Sequence, residues 1–207
     1  MSLYESLEQE IEWRIFELAI LKTNHLSSNL SELRKNIIRK YSVISIYALY
    51  EGFVVEAFNI YKEQINLLKI PPNKLNTRII TYFMDNKYKL YEERSNFEKR
   101  EQLTRELENI FFSNNIELNV KINTESNVNI KVLNKLLYSF NLETVEDSRL
   151  KDKVNKLLKF RNSLAHGEVV LKVTDDLIYE FTDTVTVLMD LIAERILDGY
   201  KRRTYLR

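Results

Sequence analysis

The chain has 207 residues and 44% hydrophobic side chains, which fits one folded domain and is too apolar for a disordered chain. Its 31 lysines and arginines nearly balance 30 aspartates and glutamates, so a general polyanion-binding surface is not indicated, although a local basic patch stays open. The absence of cysteine excludes disulfides, cysteine-based zinc sites and a cysteine nucleophile. Three glycines and two prolines favour long helices with few tight turns.

The first predicted helix begins after Ser2, where Glu5 stands at the capping-box position. The second predicted helix, residues 30–68, is apolar on more than one face and should therefore lie in the middle of a bundle. Its stretch 41–61 resembles a membrane span, but the two glutamates inside it would each cost about 3 kcal/mol near a bilayer centre. We therefore interpret this stretch as a buried central helix and expect no membrane contact.

The rest of the chain predicts shorter helices and one irregular segment. Helices are expected over about residues 73–85, 91–112, 145–166 and 175–197, the last capped by Thr174. Near residues 114–127, alternating apolar residues predict a short irregular or extended segment. A helix that starts at Thr124 or Ser126 follows it, and the basic tail 200–207 is expected to fray. The predicted fold class is an all-α bundle with long central helices, forming a single domain over residues 1–207.

Several chemistries are excluded by the residues that are missing. The three glycines, Gly52, Gly167 and Gly199, are too far apart for a phosphate-binding loop, a dinucleotide fingerprint or a nucleophile elbow. His25 and His166 are distant in sequence and have no metal-ligand spacing, so we expect neither a metal nor a cofactor. A carboxylate-only site at Asp175 and Asp176 stays open, although helix capping explains these residues better. His25, in a polar loop, is expected to be solvated.

The stretch "LLKFRNSLAHGE", residues 157–168, contains the most unusual pair of polar residues. Arg161 lies in the inward stripe of its predicted helix, which is formed by Leu150, Val154, Leu157, Leu158 and Leu164. An arginine in such a stripe needs an internal carboxylate or an anionic ligand. His166 precedes Gly167, a natural stop for the helix.

Two interpretations of this pair follow from the residues alone. In one, Arg161 and His166 act on a common ligand, which requires the helix to unwind near Gly167 or a partner chain to close the site, because five helical residues separate side chains by about 140°. In the other, Arg161 forms a structural ion pair with Glu51, His166 is a helix-end residue, and Asn162 bonds to backbone.

The same stretch resembles the Arg-Asn-x-x-x-His signature of the HEPN superfamily, the higher-eukaryote and prokaryote nucleotide-binding helical domains. The stretches "YALYEGFVVEAFNIY", residues 47–61, and "NTESNVNIKVLNKLLYSFNL", residues 123–142, are similar to segments of the bacterial branch found in defence and toxin–antitoxin loci. The resemblance implies a helical bundle that dimerises, with the signatures of two protomers lining one cleft. Many members are metal-independent ribonucleases, and some are inactive.

The resemblance makes Arg161 and His166 the catalytic pair, with Asn162 as polar neighbour. Glu51 is added as a supporting residue because it is a charged residue on the central helix. The resemblance implies an endoribonuclease that cleaves RNA as a toxin or antiphage effector, as a homodimer, under control of an antitoxin or another defence protein. The cysteine-free composition fits a reducing compartment, so a cytoplasmic location is expected. Histidine would withdraw the proton of the 2′-hydroxyl or protonate the leaving 5′-oxygen, and arginine would hold the charge on phosphorus oxygens. A non-catalytic dimerisation or protein-interaction module and a nucleotide-binding sensor are the alternatives.

Overall fold

The computed structural model describes residues 1–88, 97–125, 127–167 and 172–207, without the side chains of residues 86–88 and 99. These ranges contain seven α-helices: α1 Leu3–Thr23, α2 Glu32–Leu67, α3 Thr77–Tyr88, α4 Phe97–Phe112, α5 Ile130–Ser139, α6 Ser148–Ala165 and α7 Asp175–Lys201. No β-ladder occurs within the described ranges, where an isolated bridge joins Leu75 to Leu206. The prediction of an all-α helical bundle is confirmed.

The helix starts follow local capping chemistry. Ser2 and Glu5 form the predicted capping box of α1, each side chain bonding the other residue's backbone N–H. Thr174 caps α7 as predicted, and Asp175 places a negative charge at the positive end of its dipole. Helix α5 starts later than predicted, because Asn129 and not Thr124 accepts the first free backbone N–H. Ser126 lies outside the described residues.

Helix α2 is the central element and packs against α1, α6 and α7. In the described part of the chain it alone is long and apolar enough to cross a membrane, but 56% of its most apolar window is buried inside the protein. Its buried face includes Val43, Tyr47, Tyr50 and Phe53, all with almost no exposed surface. Helix α2 is therefore the buried central helix that its apolar pattern predicts.

Residues 113–129, here called the connector, join α4 to α5, and all of them except residue 126 are described. The connector contains no helix and no strand there, which confirms the irregular segment predicted near residues 114–127. Leu118, Val120 and Ile122 are buried, while the residues between them are exposed. The alternation is that of an extended chain lying on a core with one face. The Leu118 N–H donates to the Asn66 side chain of α2, which holds the connector against that helix.

The tail and His25 differ from their predictions. The tail is tied down, since Tyr205 is 5% exposed, its carbonyl accepts the Asn76 N–H, and the Arg207 N–H donates to the Lys74 carbonyl. His25 is fully buried, because the turn that carries it packs against α1 and α2, and Asp175 and Tyr179 of α7 lie beside the imidazole. Long-range packing thus overrides the local polarity that predicted a frayed end and a solvated loop.

His25 lies in a charged cluster at the start of α7. Its Nε2 lies 3.2 Å from Asp175 Oδ1, and the Arg39 Nε donates to the same oxygen at 2.5 Å. The Tyr179 ring packs beside the imidazole. Burial lowers the pKa of His25, and the positive charges of Arg39 and Lys35 act in the same direction, while Asp175 opposes them. His25 is therefore a core histidine whose neutral form is favoured.

Candidate active site

Arg161 projects from α6 towards α2 and is half-buried. Its Nη1 donates to the Asn162 side-chain oxygen at 2.9 Å, and the Asn127 side-chain oxygen lies 3.5 Å from the same nitrogen. The centre of the guanidinium lies 4.8 Å from the centre of the Tyr47 ring, over its face. Such an arrangement stabilises the cation through the ring quadrupole. Two neutral amides and an aromatic ring therefore hold this charge.

No carboxylate within the described ranges lies within ion-pair distance of Arg161, so its charge is not neutralised there. Its Nε and Nη2 donate to no acceptor in the same ranges, and neither is an enclosed, unsatisfied donor. These two nitrogens form the edge of the guanidinium that binds phosphate or carboxylate with two parallel hydrogen bonds. The contacts of Arg161 thus leave its anion-binding edge unused.

Glu51 does not form the ion pair that the structural interpretation requires. Its Oε1 accepts a hydrogen bond from the Thr124 hydroxyl of the connector at 3.1 Å. Glu51 and Arg161 both influence the Tyr47 hydroxyl electrostatically: the first raises its pKa and the second lowers it. Burial is the largest cause of the raised pKa of Tyr47, so this tyrosine is neutral. Glu51 therefore fixes the connector, and its charge lies near the site.

His166 stands at the end of α6 as its C-cap residue and is exposed. Its backbone N–H donates to the Asn162 carbonyl at 3.0 Å, and Gly167 follows with a φ of 73°, the left-handed stop that its position predicts. Helix α6 stays regular through Ala165, so it does not unwind to bring the two side chains of one chain together. In the part of the chain that the structure describes, no hydrogen bond or ion pair holds the imidazole.

Asn162 contacts Arg161 through its side chain. Its side-chain oxygen accepts from the Arg161 guanidinium, and its backbone carbonyl accepts from the His166 N–H. The first bond orients the guanidinium, whereas the second is the ordinary backbone bond of the last helical turn and leaves the imidazole unconstrained. Asn162 is therefore more than a residue that bonds the backbone, because its amide is one of the neutral acceptors that hold Arg161.

Sequence reasoning did not identify Tyr47 and Asn127 as parts of this site. Tyr47 lies four residues before Glu51, so both occupy one face of α2, and this spacing was the available signal. Asn127 had no comparable signal, because its approach to Arg161 depends on the path of the connector. For metals, no group of three or more His, Cys, Asp or Glu side chains converges within the described ranges.

Comparison with known proteins gives one match. The model of the HEPN_MAE_28990-like HEPN family matches residues 3–205, nearly the whole chain. No curated protein and no solved structure matches the chain.

Proposed function

Since the chain belongs to the HEPN_MAE_28990-like HEPN family, we propose that it is a metal-independent endoribonuclease in which Arg161 and His166 act on one phosphodiester. The observation that carries this proposal is that the Arg161 guanidinium meets no carboxylate within the described ranges. An arginine on the inward stripe of a helix usually has an anionic partner, either a carboxylate of the protein or a ligand. The Nε–Nη2 edge, which donates to no acceptor in those ranges, fits two oxygens of a phosphate.

The proposed chemistry uses the nucleophile that RNA itself carries. A histidine withdraws the proton from the 2′-hydroxyl, whose oxygen attacks the adjacent phosphorus, and the bond to the 5′-oxygen breaks. A second histidine that starts protonated, or the first histidine with the proton it has just taken, gives the leaving 5′-oxygen a proton. Arg161 stabilises the charge that builds on the two non-bridging oxygens. The products are a 2′,3′-cyclic phosphate and a 5′-hydroxyl, and the proton transfers of this scheme use histidine alone, without a metal ion.

We propose that a second copy of the chain completes the site. The regular end of α6 separates Arg161 and His166 of one chain by about 140°, so a shared phosphate needs a partner's groups. A two-fold axis would bring two copies of each residue to one cleft. Leu33, Ile37 and Tyr41 form an apolar stripe at four-residue spacing on α2, and they are 71%, 46% and 67% exposed. This stripe lies on the helix that also carries Tyr47 and is a suitable surface for the homodimer.

RNA binding beyond the reacting phosphate is proposed to involve the start of α2. Arg34 and Lys40 lie there without ion pairs within the described ranges. Lys40 precedes Tyr47 by seven residues, which places it on the same helix face about 10 Å away. This local basic surface is compatible with the chain's near-zero net charge.

The cell compartment is proposed to be the cytoplasm, and an antitoxin or another defence-system protein is proposed to restrain the activity.

The test is cleavage of an RNA labelled at both ends, in buffer that contains a chelator. Wild type is expected to cut it and to leave a 2′,3′-cyclic phosphate, which phosphatase alone does not remove. Arg161→Ala and His166→Ala are expected to be inactive. Arg149→Ala is the matched control, because Arg149 is exposed on the first turn of α6 and has no ion pair within the described ranges. Cleavage by His166→Ala at the wild-type rate would refute the assignment.

A non-catalytic dimerisation or protein-interaction module is the second candidate, favoured by exposed apolar residues on α1. Trp13, Phe16 and Ile20 are 43%, 68% and 47% exposed, more than a helix without a partner requires. Expression in bacteria separates the two candidates. Growth arrest by wild type and not by His166→Ala supports the nuclease, whereas arrest by both supports the interaction module.

A further inference from the structure

Tyr47 has the contacts of a residue that holds another residue in place. It is 1% exposed, and its ring lies beneath the Arg161 guanidinium. At the other end of the ring, its hydroxyl accepts the backbone N–H of Val128 at 2.8 Å. Val128 is itself fully buried. The ring is therefore fixed by the helix at one end and by the connector at the other, and it cannot tilt without breaking one of these contacts.

An aromatic ring holds an arginine without using its hydrogen-bond donors, which a carboxylate would occupy. A carboxylate would occupy two of the guanidinium donors and cancel the charge, whereas a ring contacts only the face and leaves the edges free. Arginine has about 2 kcal/mol of side-chain conformational entropy to lose when it becomes ordered. Stacking on Tyr47 removes much of that freedom before any ligand arrives, which is preorganisation.

The connector contacts Glu51, Arg161 and Tyr47 through residues that lie within five positions of one another. Thr124 donates to Glu51, Asn127 lies beside Arg161, and Val128 donates to Tyr47. Displacement of the connector would therefore disturb the ring and one of the two amides near the guanidinium together. The position of Arg161 is coupled to the position of a segment that lies more than thirty residues before it in the chain.

From these contacts we infer that Tyr47 is a positioning residue for Arg161: its buried ring holds the guanidinium, and the Val128 N–H bond adds a smaller restraint on that ring. The effect on catalysis rests on the proposed function, in which the Arg161 guanidinium stabilises the reacting phosphate. Tyr47 itself contacts no reacting atom in this scheme. Loss of the ring is therefore expected to lower kcat more than it raises KM.

The kinetic test compares three variants with wild type on the same labelled RNA. Tyr47→Leu, which removes the ring, is expected to lower kcat about 10- to 100-fold, the effect of misplacing a catalytic group by about 1 Å. Tyr47→Phe keeps the ring and should recover most of that loss, while the Val128 N–H loses its acceptor. Tyr50→Phe is the control, because Tyr50 is equally buried on α2 and its hydroxyl has no partner within the described ranges. Equal kcat in Tyr47→Leu and wild type would overturn the inference.

A spectroscopic test separates this inference from the proposed function. The Nε–H signal of Arg161, assigned by its loss in Arg161→Lys, is expected to show an upfield ring-current shift and a nuclear Overhauser contact with the Tyr47 ring protons in wild type. The shift should persist in Tyr47→Phe and vanish in Tyr47→Leu. If the signal behaves so but RNA is not cut, the nuclease proposal fails and the positioning role stands. Absence of the Overhauser contact in wild type overturns the role, even if the leucine variant does not fold.

Discussion

Replacement of Arg161 by alanine separates a ligand-binding arginine from a structural one, because the two predict different losses of stability. The contacts removed are one good hydrogen bond, a longer contact at 3.5 Å and a ring face at 4.8 Å. The hydrogen bond contributes about 1 kcal/mol, and the cation–ring contact contributes about 0.5–1 kcal/mol at a half-exposed position. The expected loss in the free energy of unfolding is therefore about 1.5–2 kcal/mol.

If Arg161 belonged to a structural ion pair, its replacement by alanine would lower the free energy of unfolding by a larger amount. Removal of one partner of a buried pair costs about 3–5 kcal/mol, because the other charge stays buried without compensation. Arg161 has no such partner within the described ranges, so its removal strands no charge there. Catalysis should respond more strongly than stability, since loss of one donor to a developing negative charge costs about 10²- to 10³-fold in kcat.

The assays are urea unfolding followed by circular dichroism and single-turnover cleavage of labelled RNA by the same preparations. Arg149→Ala again serves as the control and should change neither quantity. A destabilisation of about 4 kcal/mol by Arg161→Ala would refute the view that Arg161 is held by neutral groups. A stable variant that cleaves RNA at the wild-type rate would refute the catalytic assignment.

Three further predictions concern the titration of the core, helix packing and the reaction. The free energy of unfolding should fall as pH drops below about 6.5, by at most about 1.4 kcal/mol per pH unit, because the unfolded chain then protonates His25 while burial keeps its folded pKa lower. Chemical denaturation from pH 5 to 8 measures how the free energy of unfolding depends on pH, and His25→Gln should weaken this dependence. The same pH dependence in His25→Gln and wild type would contradict the assignment to His25. Gly52→Ala should stabilise the protein by about 0.5–1 kcal/mol, because the nearest atom to the added methyl lies 3.6 Å away and the helix gains a better helix former. In Gly199→Ala the added methyl would lie 2.2 Å from a Leu142 methyl, and this overlap should destabilise the protein by about 1–3 kcal/mol. Thermal melts of the two variants that shift in the same direction would be inconsistent with this packing. RNA with a 2′-deoxy nucleotide at the cleaved position should not be cut, and its cleavage in a gel assay would exclude attack by the 2′-hydroxyl.

Local chemistry explains what the sequence predicted well. The capping box of Ser2 and Glu5 and the cap at Thr174 are satisfied within four residues, so tertiary structure has little influence on where α1 and α7 begin. The all-α fold follows from periodic apolar faces and few glycines and prolines. The pattern around "LLKFRNSLAHGE" also predicted that Arg161 points inward and that α6 ends before Gly167.

Tertiary structure decided the features that depend on contacts between distant residues. Thr124 was a suitable helix cap by type, but its hydroxyl donates to Glu51, and α5 begins at Asn129 instead. His25 has polar neighbours in sequence, yet it is buried because α1 and α2 pack against its turn and two side chains of α7 lie beside it. Whether Arg161 meets a carboxylate or a ring could not be predicted, because Tyr47 lies 114 residues away and Glu51 was equally available on the same helix. Packing selects one partner among chemically plausible ones, and this selection leaves the guanidinium edge without an acceptor among the described residues.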